Sequence, residues 1–244
     1  MAEAPVVIVT RPEREAGPWA EALQGQGVRT ETLPLIQIKP LPDVSAMQAL
    51  WQQVPQHLAV MFVSANAVRF FMAARPDGLG LRACRAWSTG PGTQAALLAC
   101  GWPADQIDSP GAGSSQFDSE ALWALVATRV ESAQQASVLI VRGADAQGHM
   151  AGRDWLAQKL TQAGVQVVQV VAYVRQTPVL SPSQLQRAVQ AMTDGSWWLF
   201  SSSEAALHLT QACPRLDLSQ ARALATHPRI AERLRQAGWG RVEL

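Results

Sequence analysis

Hydroxyl-bearing residues and glycines recur in loops where short apolar segments give way to amphipathic stretches. Six such loops stand out: TRPE (10–13), SANA (64–67), STGPGT (88–93), RGADAQGHMAGR (142–153), SSSE (201–204) and THPR (226–229). Ser, Thr and Asn are good helix N-caps, and free N–H groups at a helix start attract carboxylate or phosphate. Capping alone explains each loop taken singly. Six such loops facing one ligand would form a surface for an anionic small molecule.

Familiar catalytic motifs are missing from the chain. The glycine-containing loops match neither the dinucleotide fingerprint nor the Walker pattern, and no G-x-S-x-G segment is present. The four histidines lack metal-ligand spacing. Asp118 and Glu120 open a helical segment, where the helix dipole explains them better than acid–base catalysis does. The sequence therefore predicts chemistry without a nucleotide, a metal or another cofactor.

Tyr173 is the one tyrosine of the chain and lies in the extended segment AYVRQTP (172–178). A phenol there could face a ligand as a weak acid. It could equally be a half-buried strand aromatic with its hydroxyl satisfied at the rim of the core, and the residues alone favour that interpretation.

The loops lie between segments of two kinds. Apolar runs such as VVIVT and LAVMFVS alternate with stretches of helical period; Trp19, Ala22 and Leu23 share one face, and Gly25 ends the first such stretch. This alternation predicts an α/β fold with mainly parallel sheets. Ligands of open α/β sheets bind beyond the carboxyl ends of the strands, which is where the loops fall.

The chain repeats itself over long distances. Three pairs of segments match in the same order, with shifts of 132, 138 and 137: 6–12 with 138–144, 61–68 with 199–206, and 85–102 with 222–239. A period this long indicates two similar domains. Residues 33–43 and 167–179 hold equivalent places, are extended and end in proline, as two chain crossings beside a cleft would. Ordinary edge strands followed by proline-rich loops explain them nearly as well.

Bulk properties exclude several classes of protein. Lys and Arg number 20 against 19 Asp and Glu, a net charge of +1 that is too balanced for a nucleic-acid surface. No run of 18 apolar residues predicts a membrane span, and the N-terminus has the character of a first strand. Three cysteines without paired spacing favour buried thiols in a reducing cytoplasm. Without an evident oligomerisation helix, a monomer is expected.

Taken together, the segments resemble the uroporphyrinogen-III synthase family. The resemblance extends over the whole chain, through VTRP, PLIQIKP, FVSANAV, TGPGT, DSEAL, VLIVRG with GR, AYVRQTP, FSSSEA and ATHPRIAERLRQAG. It implies a cofactor-free cytoplasmic enzyme that closes linear hydroxymethylbilane into uroporphyrinogen III, inverting the last pyrrole ring and losing water. It also implies transient hand-over of the substrate from the preceding enzyme.

The family resemblance further implies two Rossmann-like (flavodoxin-like) parallel-sheet lobes, joined by a two-stranded connection, with a cleft between them. Residues 1–37 and 176–244 would form the first lobe and 38–175 the second. The matching family tyrosine falls on Tyr173, which would assist catalysis as a proton donor. Substrate carboxylates would be bound by the loop residues Thr10, Arg11, Ser64, Asn66, Thr93, Arg142, Gly143, Ser201, Ser202 and Thr226.

Some positions depart from the family pattern. Ile230 stands where the second half would match Thr93, His227 occupies a place that is more often small, and the loop from Gly143 to Gly152 is long. A non-catalytic two-lobe protein that binds tetrapyrroles or another polyanion fits the same polar loops. A nucleotide-sugar transferase is a third alternative, but no phosphate loop or acidic metal motif supports it.

Overall fold

The computed structural model describes residues 4–81, 84–111, 113–114, 116–133, 135–150 and 154–244. Within these ranges the strands are β1 (Val7–Val9), β2 (Thr30–Thr32), β3 (Gln37–Pro40), β4 (Ala59–Phe62), β5 (Arg85–Ser88), β6 (Ile107–Asp108), β7 (Ser137–Ala144), β8 (Gln166–Gln176), β9 (Trp197–Phe200), β10 (Arg222–Ala225) and β11 (Arg241–Glu243). The helices are α1 (Glu13–Gln24), α2 (Ser45–Trp51), α3 (Ala65–Ala73), α4 (Pro91–Ala99), α5 (Ser119–Glu131), α6 (Trp155–Gln162), α7 (Pro182–Gln190), α8 (Ser203–Ala212) and α9 (Pro228–Gln236). Two short 3₁₀ turns, Val54–Gln56 and Ala104–Gln106, complete the described elements.

The chain divides into two compact units. Unit 1 comprises Met1–Ile38 and Gln176–Leu244, and unit 2 comprises Lys39–Arg175. The chain therefore passes from one unit to the other twice, within the segments that carry β3 and the end of β8.

Unit 1 contains a five-stranded sheet in the order β11-β10-β9-β1-β2, with parallel pairing throughout its described ladders. Helix α1 covers one face through Ala16 and Ala20, which pack against Val7, Val9 and Leu199. The opposite face carries the larger core. That core includes residues of α7, α8 and α9 and a buried group of Trp198, Phe200 and Trp239.

Unit 2 contains a six-stranded sheet in the order β3-β8-β7-β4-β5-β6. The described ladders β4–β5, β4–β7, β5–β6 and β7–β8 are all parallel. One face packs against α5 and α6, through Leu122, Val126, Leu156 and Leu160. The α/β fold with mainly parallel sheets that the alternating pattern predicted is confirmed.

Side-chain caps begin several of the helices. Ser64 caps α3, Asp118 caps α5, Ser202 caps α8 and His227 caps α9. Asp118 thus lies at a helix start, as the sequence indicated, and in addition caps it by accepting from Ala121 N. Ser181 begins α7 with a complete capping box. No helix in the described ranges is long and apolar enough to cross a membrane.

Candidate functional site

The residues singled out from the sequence lie at or just beyond the carboxyl ends of parallel strands in both units. Unit 1 carries Thr10, Arg11, Ser201, Ser202 and Thr226. The others belong to unit 2, and these are Ser64, Asn66, Thr93, Arg142, Gly143 and Tyr173. The strands that carry these residues are neighbours in parallel sheets. In each unit the residues therefore lie side by side at the carboxyl ends of the strands. The GR pair at 152–153 lies outside the described residues.

Tyr173 is buried, with 3% of its surface exposed. Its ring stacks on Phe70 of α3, with centroids 5.8 Å apart and planes inclined by 21°. Its hydroxyl oxygen lies 3.0 Å from Ser64 Oγ, and either hydroxyl could donate this hydrogen bond. The sequence interpretation of a strand aromatic with a satisfied hydroxyl describes this environment well.

A β-bulge determines which face of the sheet Tyr173 occupies. Arg142 pairs with Val171, but Gly143 pairs with Tyr173, so β8 contains one extra residue, Ala172. Strict alternation would place Tyr173 on the face of Gln169, which contacts the α6 side through Arg142. The bulge turns Tyr173 to the α3 side.

The Tyr173 ring packs directly against the backbone of Gly143. A Cβ atom at this position would stand 2.6 Å from Tyr173 Cζ and 2.7 Å from Cε2, closer than side-chain carbons can approach. The absence of a side chain at Gly143 is therefore a condition for the position of the phenol.

Ser64 connects the phenol to the start of α3. Its Oγ accepts a hydrogen bond from Ala67 N at 3.1 Å, which is an N-cap contact. Asn66, in the first turn, is 7% exposed, and its Oδ1 accepts from Arg69 at 3.0 Å. Ser64 itself remains partly exposed at this sheet edge.

Arg142 is buried, with its side chain 3% exposed, and is bound within unit 2. Its Nη1 donates to Asp154 Oδ1 at 2.5 Å and to Gln169 Oε1 at 2.7 Å. The guanidinium therefore ties the end of β7 to the start of α6 and to β8. Its burial and its partners suit ordering of the loop better than direct contact with a ligand.

The loop between β5 and α4 combines glycines with buried hydroxyls. Ser88 is fully buried and donates to Ser109 Oγ at 2.9 Å. Thr93 is 7% exposed in the first turn of α4. Phe117 lies against Gly90, where an added Cβ would stand 3.1 Å from the Phe117 Cβ. Pro91 has no N–H, and the Thr93 and Gln94 N–H groups donate to the Gly90 carbonyl at 3.2 and 3.1 Å. An anion at this loop would therefore meet the positive end of the α4 dipole rather than several free N–H groups.

In unit 1, Thr10 forms a structural contact. It is 1% exposed and donates from Oγ1 to the Leu199 carbonyl at 2.7 Å, joining the ends of β1 and β9. Arg11 binds Glu15 at 3.2 Å, and its guanidinium lies 4.4 Å from the Trp19 ring centroid. Both side chains thus have partners within unit 1.

The remaining loop residues of unit 1 are more open. Thr226 is exposed, and its N–H donates to the Phe200 carbonyl at 3.1 Å, which brings it beside Ser201. Ser202 caps α8 by accepting from Glu204 N at 3.3 Å. His227 occupies the cap of α9, accepting from Arg229 N at 3.2 Å, so this departure from the family pattern preserves the helix start.

Within the described part of the chain, neither the Cys84 thiol nor a metal-ligand cluster adds chemistry to these loops. Burial raises the pKa of the Cys84 thiol to about 12, which removes thiolate chemistry there at neutral pH. Among the residues that the structure describes, no group of three His, Cys, Asp or Glu side chains is placed to hold a metal ion.

Sequence reasoning missed Phe70, Ala172 and Asp154. Phe70 lies six residues beyond Ser64 in an apolar stretch without a distinguishing signal. The segment around Ala172 is almost continuously apolar, so its letters hide the bulge. An acidic residue just before an amphipathic stretch was a usable signal for Asp154.

Known proteins of similar sequence or structure agree on one family. A uroporphyrinogen-III synthase of Chlorobaculum parvum is 32% identical over 94 residues, covering 36% of this chain and 35% of that one, about a third of the relative's length. Crystal structures of uroporphyrinogen III synthase from Thermus thermophilus (a mutant) and of uroporphyrinogen-III synthetase from Helicobacter pylori share the fold. Their TM-scores are 0.57 and 0.59 at 16% identity, covering 99% and 98% of this chain and 93% and 92% of theirs. The sequence profile described as uroporphyrinogen-III synthase HemD matches residues 17–243, and the chain therefore belongs to the uroporphyrinogen-III synthase family.

Proposed function

We propose that this protein is a uroporphyrinogen-III synthase, which cyclises hydroxymethylbilane with inversion of the last pyrrole ring and loss of water. The observation that carries the proposal is the Ser64–Tyr173 hydroxyl pair at the carboxyl edge of the unit 2 sheet. Family membership supports the same reaction.

The chemistry suits a site of donors without a catalytic triad. Loss of hydroxide from an electron-rich pyrrole gives an azafulvenium-like intermediate with little assistance. The main work is then to hold the chain in the geometry for attack at the substituted ring carbon. A proton donated to the departing hydroxyl accelerates the step without being indispensable. We assign that proton to the Tyr173–Ser64 pair.

Substrate carboxylates are proposed to bind at loop donors of both units. Ser64, Ser201, Ser202 and Thr226 lie at or beside helix starts, where backbone N–H groups and hydroxyls favour anions. Arg11 adds a partly exposed guanidinium.

The more buried members of the predicted set are assigned a supporting part. Asn66, Thr93 and Gly143 belong to the unit 2 loops, and their backbone is what a carboxylate would meet. Thr10 and Arg142 support the loops indirectly. Their side chains fix the strand ends through hydrogen bonds to Leu199 and Asp154.

The remaining parts of the proposal concern the setting of the reaction. We infer a cytoplasmic monomer that needs no cofactor and receives hydroxymethylbilane by transient hand-over from the preceding enzyme. The free state of Cys84, Cys100 and Cys213 is in keeping with a reducing compartment.

A coupled assay tests the proposal. Hydroxymethylbilane is generated in situ, the purified protein is added without nucleotide or metal, and the oxidised products are separated into type I and type III porphyrins. A shift to type III is expected. Only type I, from protein shown to be folded, would contradict the proposal and leave a non-catalytic tetrapyrrole-binding protein as the better interpretation.

A further inference from the structure

Within the proposed function, we infer that Ser64 delivers the proton to the departing hydroxyl and that Tyr173 acts through Ser64. Ser64 is then the catalytic residue of the pair and Tyr173 a positioning residue. The inference rests on the proposed function and refines one step of it.

Exposure separates the two hydroxyls. Tyr173 is 3% exposed, with its ring enclosed between Phe70 and Gly143. Ser64, 3.0 Å away, is partly exposed at the start of α3. A general acid must come within hydrogen-bond reach of the atom that it protonates. Of these two groups, only Ser64 has the surface to meet a substrate without rearrangement of the core.

Hydrogen-bond accounting gives the Ser64 proton a direction. A serine hydroxyl has one proton to donate and two lone pairs that accept. Ala67 N–H occupies one lone pair at 3.1 Å. When the Tyr173 hydroxyl donates to the other, the Ser64 proton is left for a partner on the exposed side. Hydrogen bonds in such a chain polarise one another, so donation by Tyr173 makes Ser64 a better donor.

Neighbouring residues fix the positions of the Tyr173 and Ser64 hydroxyls. The bulge at Ala172 turns Tyr173 toward α3, and the ring then lies against Gly143 with Phe70 stacked on it. The Ala67 contact fixes the Ser64 side chain. Four local features therefore set one hydroxyl–hydroxyl distance, which is the kind of preorganisation that a proton donor needs.

The proposed step balances without an additional reagent. The carbon–oxygen bond of the hydroxymethyl group breaks with its electron pair on oxygen, and that oxygen takes the Ser64 proton and leaves as water. The Tyr173 proton moves to Ser64. The last pyrrole ring loses a hydrogen as a proton when the macrocycle closes; Ser64 accepts this proton and passes its own to the phenolate, which restores both hydroxyls.

Replacement of each hydroxyl, singly and together, tests the inference. Glycine is tolerated at an N-cap, so Ser64→Gly removes the hydroxyl at little cost to α3. We expect kcat for type III formation to fall about 100-fold. KM should rise much less, because several other loop donors also bind the substrate carboxylates. Tyr173→Phe should lower kcat about tenfold, the value of one hydrogen bond. The double variant should be no slower than Ser64→Gly alone, because Tyr173 contributes to the step through Ser64.

Two further variants separate proton donation from a structural role. Ser64→Thr keeps both the hydroxyl and the cap and should recover most of the lost kcat. Ser181→Gly removes the equivalent cap of α7, outside the proposed site, and should leave kcat at the wild-type value. Circular dichroism and thermal unfolding establish that each variant is folded.

The outcomes are distinguishable. A Tyr173→Phe loss that equals or exceeds that of Ser64→Gly would overturn the inference, and so would losses that multiply in the double variant. Either result, with type III still formed by the wild type, leaves the proposed function intact. Wild-type protein that yields only type I would overturn the proposed function and this inference with it.

Discussion

The loop after β4 in unit 2 and the loop after β9 in unit 1 share a helix cap and differ in what lies behind it. Ser64 and Ser202 occupy matching places and each caps the following helix. When the prolines that end the two extended segments are aligned, Pro40 with Pro178, Leu35 takes the place of Tyr173. Leu35 is fully buried. The two copies thus share a serine that caps the following helix, while only unit 2 has a phenol in contact with that serine.

The outer strands of the two sheets differ in a similar way. In unit 2, Asp108 on β6 accepts from Arg85, Trp87 and Arg129. In unit 1 the matching position is Glu243, which pairs with Trp87's counterpart Leu224 in the sheet and with its own neighbour Arg241 at 3.0 Å. Unit 2 therefore has a converging polar network where unit 1 has an exposed ion pair.

Gly143→Ala should have the largest effect, because it displaces the phenol that distinguishes the unit 2 loop from the unit 1 loop. The methyl group would stand 2.6 Å from Tyr173 Cζ, so the ring must withdraw from this position and from Ser64. Because Tyr173 acts through Ser64, loss of this contact should cost about tenfold in kcat, as in Tyr173→Phe, and overpacking costs about 1–3 kcal/mol of unfolding free energy. Steady-state kinetics and denaturant unfolding measure the two effects.

The matched control is Gly17→Ala in α1, where an added Cβ meets nothing within 4 Å beyond its chain neighbours. It should leave kcat unchanged, and the usual gain of alanine over glycine in a helix is opposed because the following Pro18 crowds the Cβ of the residue before it. A wild-type kcat in Gly143→Ala would show that catalysis does not need the Tyr173 hydroxyl beside Ser64.

Asp108→Asn and Glu243→Gln test whether the outer strand of unit 2 contributes more to the unfolding free energy than that of unit 1. Burial opposes ionisation of Asp108, but hydrogen bonds from Arg85 and Trp87 and the charges of Arg85 and Arg129 hold its pKa below the usual value. Its removal should cost about 2–3 kcal/mol, whereas the exposed Glu243 should cost about 0.5 kcal/mol or less.

Urea unfolding at pH 7 measures both losses of unfolding free energy, and equal losses would contradict the comparison.

The contribution of Asp108 to stability depends on pH in a defined direction. Because the folded pKa of Asp108 is lowered, its contribution is present above the ordinary aspartate value of 3.8 and is lost as the pH falls further. The Asn variant should lose this part of the acid sensitivity.

The smallest expected effect concerns His57 at the amino end of β4, whose counterpart in unit 1 is Gly195. Burial lowers the pKa of His57, and its buried Nε2 has no hydrogen-bond partner among the residues that the structure describes. The folded state therefore binds the proton less readily than the unfolded chain does. The unfolding free energy is therefore unaffected by His57 above pH 6.5 and declines as the pH falls below that value, because the unfolded chain then binds the proton more readily.

His57→Gln should flatten the unfolding free energy between about pH 7.5 and 5. His149→Gln provides the comparison, since the His149 side chain is 80% exposed. An unchanged pH dependence in His57→Gln would assign the acid sensitivity to other groups.

Several features of the fold and site could be predicted from the sequence because they depend on local chemistry. The alternation of apolar runs and helical stretches predicted parallel α/β sheets, which the structure contains. Hydroxyl residues before helices predicted caps, and Ser64 and Ser202 are caps. The sequence did not reveal that Thr10 and Arg142 would use their side chains internally, since their partners lie 189 and 12 residues away.

The order of strands and helices and the polar residues at the strand ends can be read from the sequence, because period, capping and turn chemistry act over a few residues. Which of these groups meet depends on the folded structure. One extra residue in β8 turns Tyr173 to the α3 face, and a glycine without a side chain makes room for it. Register and close approach depend on contacts between distant segments, and a single residue of register reverses the direction of every side chain beyond it.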